Sequence, residues 1–365
     1  MGARSRCYPK GDRDLAALAD PSSGSRQWEE PGAFEVAPGV YRIPLPLPGD
    51  SLRAVNVYLL LDDKNAVLID AGMYIPLARK QLEESLKLLG VGMGDISDFL
   101  ITHLHRDHYT QAVALRDDFG GRISLGALER SSMEIIGQRA FSENSGLTAE
   151  RYSRLVECDA KYLIDLLREL EGDDAEFAAL YKMPDLWLDD GREIELANRT
   201  LSVIATPGHT QGHVVFRDSN AKLLFAGDHV LPHITPSIGL EPANAPLPLG
   251  DFLTSLKKIR LLDDSRLFPA HGPIVDSTHR RIDELLLHHD QRLAQASKLL
   301  SMGRTTAHEV ALELTWTKRQ TKFDTLDPFN KMLAVTETMF HLDLLVHYHM
   351  AKMSTENGVR HYELC

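Results

Sequence analysis

The sequence predicts a layered α/β fold with a helical insert and a small, mostly helical C-terminal region. Short apolar runs that end near Gly or Asp alternate with helix-like segments up to about residue 128. Residues 128–184 then show helical spacing throughout. After Pro273 the apolar residues follow the spacing of long amphipathic helices.

The composition is that of an ordinary globular chain. Of 365 residues, 43% are hydrophobic and 25% are charged. The three cysteines lie far apart, which excludes a disulfide-built scaffold and a thiolate metal cage. A net charge of −12 argues against nucleic acid or an anionic membrane as the main partner. No apolar stretch approaches about 18 residues, so we expect no membrane span and a cytoplasmic protein.

The predicted strands and helices that precede the insert come after an N-terminal tail. Residues 1–33 are rich in Gly, Ser, Arg, Asp and Pro and predict a flexible N-terminal segment. Strand-like runs follow at residues 40–43, 54–61, 66–69, 99–101 and 122–125. Helices are predicted from Pro76, whose ring suits a first helical turn, and over residues 110–115. This order predicts a catalytic domain over residues 34–277.

Strands return after the insert and give way to helices near the C-terminus. The later strands are predicted at residues 193–196, 201–205, 213–216, 223–226 and 267–268. The third and fourth form a hairpin around an Asp-Ser-Asn turn. Residues 278–365 predict a long helix over 282–300, a second capped by Thr306 and Glu309, and a third from Pro328 to about Met353. With a final strand near residue 360, this region would be winged-helix-like.

The stretch Thr102–His108 holds the densest group of side chains that can bind a metal ion. It follows a predicted strand, so His103 and His105 project from the same side of extended backbone and can grip one metal ion. Asp107 and His108 follow as the chain turns into a helix, where adjacent side chains diverge and can reach a second position. Imidazole and carboxylate without thiolate suit zinc, iron or manganese.

Other residues capable of binding metal recur in the same setting. His209, Asp228 and His271 each stand beside a glycine just after a predicted strand. Asp70 ends another strand, before Ala71 and Gly72. The carboxyl ends of strands are where α/β sheets place their sites, so these residues are expected to converge.

In the order of these motifs the sequence resembles the metallo-β-lactamase superfamily over roughly residues 40–275. The resemblance implies a four-layer αββα sandwich that holds two divalent ions, zinc first, with iron or manganese as alternatives. The implied ligands are His103, His105 and His209 for the first ion, Asp107, His108 and His271 for the second, and Asp228 as the bridge. Asp70 is implied to orient the first histidine cluster through hydrogen bonds.

Asp228 also bears on the activity that the resemblance implies. Lactam-hydrolysing enzymes of the commonest type place a cysteine as a ligand of the second ion, so antibiotic hydrolysis is not expected. The two-metal pattern is similar to that of glyoxalase-II-like thioesterases, lactonases, and phosphodiesterases or nucleases. Flavodiiron proteins usually carry Glu at the position of His105, which counts against them.

The leading hypothesis is hydrolysis of a small-molecule thioester, lactone or activated ester. Two ions roughly 3.5–4 Å apart can hold a hydroxide at neutral pH, because metal binding lowers the pKa of water to about 7. Asp107 and Asp228 are the predicted catalytic carboxylates, with Asp107 orienting or deprotonating the nucleophile. The alternatives are a phosphodiesterase or ribonuclease, an iron-dependent sulfur-oxidising enzyme, and a metal-bearing binding module without turnover.

Residues around the ligands suggest how substrate is bound. His213 is expected to make structural hydrogen bonds near the site, whereas His229 and His233 are expected either to line the substrate pocket or to pack in their loop. Aromatic residues of the insert predict either a wall for a bulky acyl or aromatic substrate or the insert's own core. They are Phe141, Tyr152, Tyr162, Phe177 and Tyr181.

The distribution of charge bears on macromolecular partners. Residues 280–365 carry eleven basic and eleven acidic residues, so the charge of −12 lies on the rest of the chain. A nucleic-acid-binding winged helix needs a concentrated basic face, so a nucleic-acid partner is not expected. A homo-oligomer is compatible with the sequence.

Overall fold

The computed structural model describes the chain from Gln27 onwards, apart from six short gaps. The described residues are 27–49, 52–61, 66–139, 148–168, 179–243, 245–317 and 320–365. Most of the predicted N-terminal tail therefore lies outside them. Trp28 and Ala33, however, are buried, and the Trp28 carbonyl accepts a hydrogen bond of 2.7 Å from Arg42. Packing is therefore already present at Trp28, before the first strand.

Nine helices and sixteen strands are found in the described residues. The helices are α1 (Pro76–Leu88), α2 (Arg106–Phe119), α3 (Arg130–Arg139), α4 (Thr148–Glu157), α5 (Tyr162–Arg168), α6 (Pro248–Arg260), α7 (Thr278–Ser301), α8 (Ala307–Glu313) and α9 (Pro328–His347). The first eight strands are β1 (Phe34–Ala37), β2 (Val40–Pro46), β3 (Ala54–Leu61), β4 (Ala66–Ile69), β5 (Ile96–Leu100), β6 (Arg122–Gly126), β7 (Leu186–Leu188) and β8 (Glu193–Glu195). The others are β9 (Thr200–Ala205), β10 (Val214–Asp218), β11 (Leu223–Gly227), β12 (Arg266–Pro269), β13 (Thr315–Trp316), β14 (Thr321–Lys322), β15 (Ala351–Glu356) and β16 (Val359–Leu364).

The strands form two main sheets. The first has seven strands in the order β1 to β7; β1 to β4 are antiparallel and β4 to β7 are parallel. The second has five strands in the order β12-β11-β10-β9-β8, and its β11 and β12 are parallel. The predicted hairpin is present as β10 and β11. Parallel neighbours bring the carboxyl ends of several strands to one edge.

The two sheets pack face to face and carry helices on their outer faces. Between the sheets, the Tyr58 ring lies 5.3 Å from that of Phe225 and 5.4 Å from that of Phe268. On the outer face of the first sheet, Leu82 of α1 is buried in one cluster with Phe99 of β5. Helix α6 and the C-terminal helices cover the second sheet. The predicted four-layer αββα sandwich is confirmed.

The C-terminal region shares its core with the second sheet and with the insert. Leu224 of β11, Leu285 of α7, Leu345 of α9 and Leu163 of α5 belong to one buried cluster. Helix α9 ends at His347, earlier than predicted, and the left-handed backbone of His349 (φ 58°) follows that end. Residues predicted as its last turns form β15 instead. The winged-helix comparison stays a prediction.

Some predicted and observed elements differ. Within the described part of the insert, α3 to α5 are helical, whereas a predicted helix over residues 175–181 lies largely outside that part. Helix α6 is missing from the prediction, although Pro248 at its first turn and buried Leu249, Phe252 and Leu256 carry a helical signal. In the described residues, no helix has the length and apolar character needed to cross a membrane.

The shared core allows a test of stability. Leu256 of α6 is fully buried in the cluster of the second sheet and the C-terminal helices. Leu256→Ala removes apolar contacts and leaves a cavity, so we expect the free energy of unfolding to fall by about 2–5 kcal/mol in urea denaturation. Leu261, just beyond the same helix, is 87% exposed, and Leu261→Ala should cost less than about 0.5 kcal/mol. Equal losses in the two variants would contradict this packing.

Candidate metal centre

The predicted ligands come together at one edge of the two sheets. Each lies just beyond a strand, or in the loop between two strands. Asp70 follows β4, His103 to His108 follow β5, His209 lies between β9 and β10, Asp228 follows β11 and His271 follows β12. Helix α2 begins at Arg106, so Asp107 and His108 lie in its first turn, as the sequence predicts.

Three imidazoles, which we call the first trio, converge on one point. The Nε2 atom of His209 lies 3.2 Å from Nε2 of His103 and 3.0 Å from Nδ1 of His105. The edge of a tetrahedral zinc site with metal–nitrogen bonds of about 2.0–2.1 Å is about 3.3 Å long. The three nitrogens therefore have the separation that one bound ion requires.

Outward hydrogen bonds fix which nitrogen of each ring faces the centre. The Nδ1 atom of His103 lies 3.0 Å from Thr102 Oγ1, whose hydroxyl in turn donates to a carboxylate. His105 Nε2 donates to the Leu240 carbonyl (2.9 Å), and His209 Nδ1 donates to a backbone carbonyl at 2.6 Å. A neutral imidazole carries one N–H, so the three inward nitrogens present lone pairs to one another. Such an arrangement is stable around a cation.

Asp107, His108 and His271 form a second trio beside the first. The Asp107 Oδ2 atom lies 3.6 Å from Nε2 of His108 and 3.4 Å from Nε2 of His271. Both of these buried nitrogens lack a hydrogen-bond partner in the described part of the chain. Because buried polar atoms are normally satisfied, the two nitrogens indicate a missing ligand.

Asp228 stands between the two trios. Its Oδ2 atom lies 3.5 Å from His209 Nε2, whereas Oδ1 lies 3.4 Å from His271 Nε2 and 3.8 Å from His108 Nε2. The Oδ1 atom is buried and has no hydrogen-bond partner among the described residues. One carboxylate oxygen thus faces each trio, which is the geometry of a bridging ligand. The donor set of nitrogen and oxygen fits divalent cations.

The electrostatics of the site favour cations. Burial, together with the neighbouring imidazoles, holds the pKa of His103 well below its usual range. Burial alone would also lower the pKa of His108, but the carboxylates of Asp107, Asp70 and Asp228 outweigh it and raise that pKa to about 10. The carboxylates are therefore balanced by a proton on His108, whose place a bound cation can take.

Asp70 links the two trios through hydrogen bonds. Its backbone is left-handed (φ 55°), a conformation that costs energy in a residue other than glycine. Its Oδ1 atom accepts a hydrogen bond from the Thr102 amide (2.8 Å), and its Oδ2 atom accepts one from His108 Nδ1 (2.9 Å). The carboxylate thus orients His108 directly and His103 through Thr102.

Removing this carboxylate should weaken metal binding. We expect Asp70→Ala to bind zinc about 10–100-fold more weakly than the unmodified chain, because misoriented imidazoles lose part of their coordination energy. Competition with a chromophoric chelator measures the affinity. Asp276→Ala changes a side chain that is 97% exposed and serves as the matched control. An unchanged zinc affinity in Asp70→Ala would show that Asp70 does not orient the ligands.

The three remaining predicted histidines have different surroundings. His213 is buried, stacks on His103 at 5.1 Å, and its Nε2 atom accepts a hydrogen bond from the Asp228 amide (3.2 Å). This is the structural role expected of it. His229 is fully buried, with its ring 5.3 Å from Phe252 of α6. A ring without exposed surface cannot line an open pocket, so the burial of His229 supports packing, the second of the two alternatives. His233 is exposed.

The three aromatic residues of the insert that the structure describes lie in different surroundings. Tyr152 packs against the core of the C-terminal helices, Tyr162 lies 5.4 Å from His308, and Tyr181 stacks on Tyr109 of α2 at 6.1 Å. Phe141 and Phe177 lie outside the described residues. These different surroundings support packing, the second of the two alternatives, for the three that are described.

One buried carboxylate beside the first trio has no counterpart in the sequence prediction. Glu129 is fully buried, and its Oε1 atom accepts hydrogen bonds from the Leu104 amide (3.2 Å) and from Thr210 Oγ1 (2.6 Å). It therefore joins the loop of His103 and His105 to the loop of His209. Burial raises the pKa of Glu129. Glu129 carries no motif, and its partners are distant in sequence, so no sequence signal identifies it.

The chain is similar to proteins of one large family. The family model described as "Metallo-beta-lactamase superfamily" matches residues 50–271. The "Beta-lactamase-like protein 2 homolog" of Caenorhabditis elegans is 25% identical over 68% of this chain and 66% of its own length. The "Probable metallo-hydrolase YqjP" of Bacillus subtilis is 26% identical over 83% of this chain and 90% of its own length.

Solved structures show the same fold. A metallo-beta-lactamase family protein from Thermus thermophilus superimposes with a TM-score of 0.69 at 27% identity. The match covers 91% of this chain and all of that protein. A beta-lactamase domain protein from Burkholderia ambifaria gives a TM-score of 0.70 at 24% identity, covering 91% of this chain and 95% of that one. Both matches extend beyond the catalytic sandwich into the C-terminal region.

Proposed function

Because this chain belongs to the metallo-β-lactamase superfamily, we propose that it is a hydrolase that uses two divalent ions, zinc in the first instance, to cleave a small-molecule thioester, lactone or activated ester. The name of the Bacillus relative, a probable metallo-hydrolase, supports the general reaction.

One observation carries the proposal: Asp228 directs one oxygen toward each of the two trios, and the buried His108 Nε2 and His271 Nε2 atoms have no hydrogen-bond partner among the described residues. The Oδ2 atom faces His209 at 3.5 Å and the Oδ1 atom faces His271 at 3.4 Å. A carboxylate that spans two nitrogen-rich positions is the arrangement expected of a dinuclear site. A lone structural ion would need only one of the trios.

The protein groups have distinct roles in this proposal. Bound ions supply Lewis acidity to a carbonyl oxygen and lower the pKa of water. The first trio would hold one ion and the second trio the other, and Asp228 would be a ligand to both. Asp107 is only partly buried, so its carboxylate both contacts the second trio and faces incoming solvent. It is placed to orient a water molecule by accepting a hydrogen bond from it. Its partial burial alone would raise the pKa of Asp107, but the neighbouring imidazoles of His108 and His271 outweigh this effect and hold that pKa well below its usual range, which keeps it a carboxylate.

The substrate class is proposed on electrostatic grounds as well. The chain carries a net charge of −12, and its C-terminal region is neutral. A long polyanion would meet repulsion outside the ligand cluster, whereas a small ester meets it only over a short approach. We therefore favour a small molecule over a nucleic acid.

Metal analysis with a substrate panel tests the proposal. We expect two zinc ions per chain, and turnover of one or more members of a set of acyl-CoA and glutathione thioesters, lactones and aryl esters that a chelator abolishes. Cleavage of phosphodiesters alone would favour a phosphodiesterase. One iron ion per chain with oxygen consumption would favour sulfur oxidation. Two bound ions without turnover of any substrate would indicate a binding module.

A further inference from the structure

A short loop segment, Ser237–Glu241, supplies backbone acceptors to two ligands of the first trio. The Ser237 carbonyl accepts a hydrogen bond from His209 Nδ1 (2.6 Å), and the Leu240 carbonyl accepts one from His105 Nε2 (2.9 Å). Each bond fixes the tautomer and the direction of a metal-facing nitrogen. The position of this segment therefore sets the geometry of the first trio.

The segment is fastened on one side to the loop that carries His209. The Gly239 amide donates to the Gly208 carbonyl at 3.0 Å. The carboxylate of Glu241 accepts hydrogen bonds from the Gln211 amide (2.8 Å) and from Ser132 Oγ (3.1 Å). Burial raises the pKa of Glu241 to about 7.

On the other side the segment is held by Arg154 of helix α4. Its guanidinium donates a hydrogen bond to the Gly239 carbonyl and lies over the ring of Phe340 in α9, 5.5 Å from the ring centroid. Arg154 is 8% exposed. A cation buried to this degree is costly unless it is paired and hydrogen-bonded, so its orientation is strongly determined.

Gly239 is the residue that permits this approach. Its backbone is left-handed (φ 60°), and a Cβ atom at this position would lie 3.2 Å from both Phe340 and Pro248. A side chain here would be strained by the backbone and crowded by its neighbours. The close contact between the segment, the insert and α9 is therefore part of the fold rather than a chance surface contact.

We propose that Arg154 is a positioning residue for the first metal position: it holds Gly239, and through it the two carbonyls that orient His105 and His209. This inference rests on the proposed function, because it requires an ion at the first trio. It gives helical segments outside the sandwich a role at the site, since α4 carries the arginine and α9 carries the ring beneath it.

Arg154→Met in the full chain tests the inference, because it keeps much of the side-chain volume but removes the donor and the charge. We expect the first ion to bind at least about tenfold more weakly to the metal-free variant, measured with zinc against a chromophoric chelator. Loss of one ion in His209→Ala identifies the first position. Arg154→Lys keeps a cationic donor but loses the planar guanidinium over Phe340, so it should recover only part of the zinc affinity that Arg154→Met loses.

Arg130→Met is the matched control, because Arg130 also lies over an aromatic ring (Trp187, 5.0 Å) but is exposed. Its zinc affinity should be unchanged. Unchanged affinity in Arg154→Met, or an equal loss in Arg130→Met or in Arg154→Lys, overturns the inference. If circular dichroism shows that Arg154→Met does not fold, Arg154→Gln takes its place. Weaker zinc binding in that variant supports the inference, and unchanged zinc binding overturns it.

The test is separate from that of the proposed function. Zinc affinity is measured without substrate, so a chain that binds two ions but hydrolyses nothing would contradict the hydrolase proposal alone. A purely structural Arg154 would lower the melting temperature of the metal-free protein and leave the zinc affinity of the folded protein unchanged. That outcome also contradicts the positioning role.

Discussion

Asp228→Ala should lower kcat by about 10²–10³-fold and reduce the bound metal from two ions per chain to one. The variant removes the carboxylate whose two oxygens face His209 and His271, so neither trio keeps its shared ligand. The loss of one preorganised hydrogen-bond donor at a reacting centre lowers kcat by about 10²–10³-fold, and the loss of a ligand shared by both trios should cost at least as much. Metal content by mass spectrometry and turnover of the best substrate in the panel are the two measurements.

The control for this variant is another aspartate. Asp189 lies just beyond the end of β7 and is exposed, so Asp189→Ala should keep both ions and full turnover. Circular dichroism of Asp228→Ala checks that the sandwich still forms. If Asp228→Ala retained two ions and unmodified turnover, Asp228 would not be the bridge and the dinuclear account would be wrong.

Removing the metal should abolish turnover and lower the melting temperature. Ions that bind only the native chain stabilise it by mass action, by about 2.7 kcal/mol for one ion present at a hundredfold excess over its Kd. Dialysis against a chelator, followed by thermal unfolding with and without added zinc, measures the effect. His209→Ala should show a smaller zinc-induced shift, because its first trio is incomplete. A melting temperature and turnover that do not respond to chelation would contradict metal dependence.

The convergence of the candidate ligands could be predicted from the sequence because their spacing is local and their chemistry is distinctive. His103 and His105 lie two residues apart beyond a strand, and Asp107 and His108 lie in the first turn of α2. Strand ends marked by glycine locate His209 and His271 as well. The structure brings all of these side chains to one edge, which is the part of the site that residue type and periodicity encode.

The surrounding contacts could not be predicted in the same way. The acceptors for His105 and His209 are backbone carbonyls, and any residue can supply a carbonyl. Arg154 reaches Gly239 from a separate helix, so only the folded chain reveals the pair. The sequence leaves two roles open for His229, which stands beside Asp228, and only the folded chain shows that its ring packs inward against Phe252.

The sequence predicts the layers of the fold better than it predicts the presence and the ends of individual helices. The α6 helix had a readable apolar spacing that the prediction passed over. The end of α9 depends on a left-handed residue, His349, and on the pairing of β15 with β16. Such pairing is decided by tertiary packing, which local propensity does not encode.

X-ray diffraction from crystals of the zinc-loaded chain, recorded on both sides of the zinc absorption edge, tests the central claim most directly. The account predicts two anomalous peaks, one within the first trio and one within the second, with Asp228 between them. A single peak, or peaks away from His103, His209 and His271, would contradict the dinuclear site.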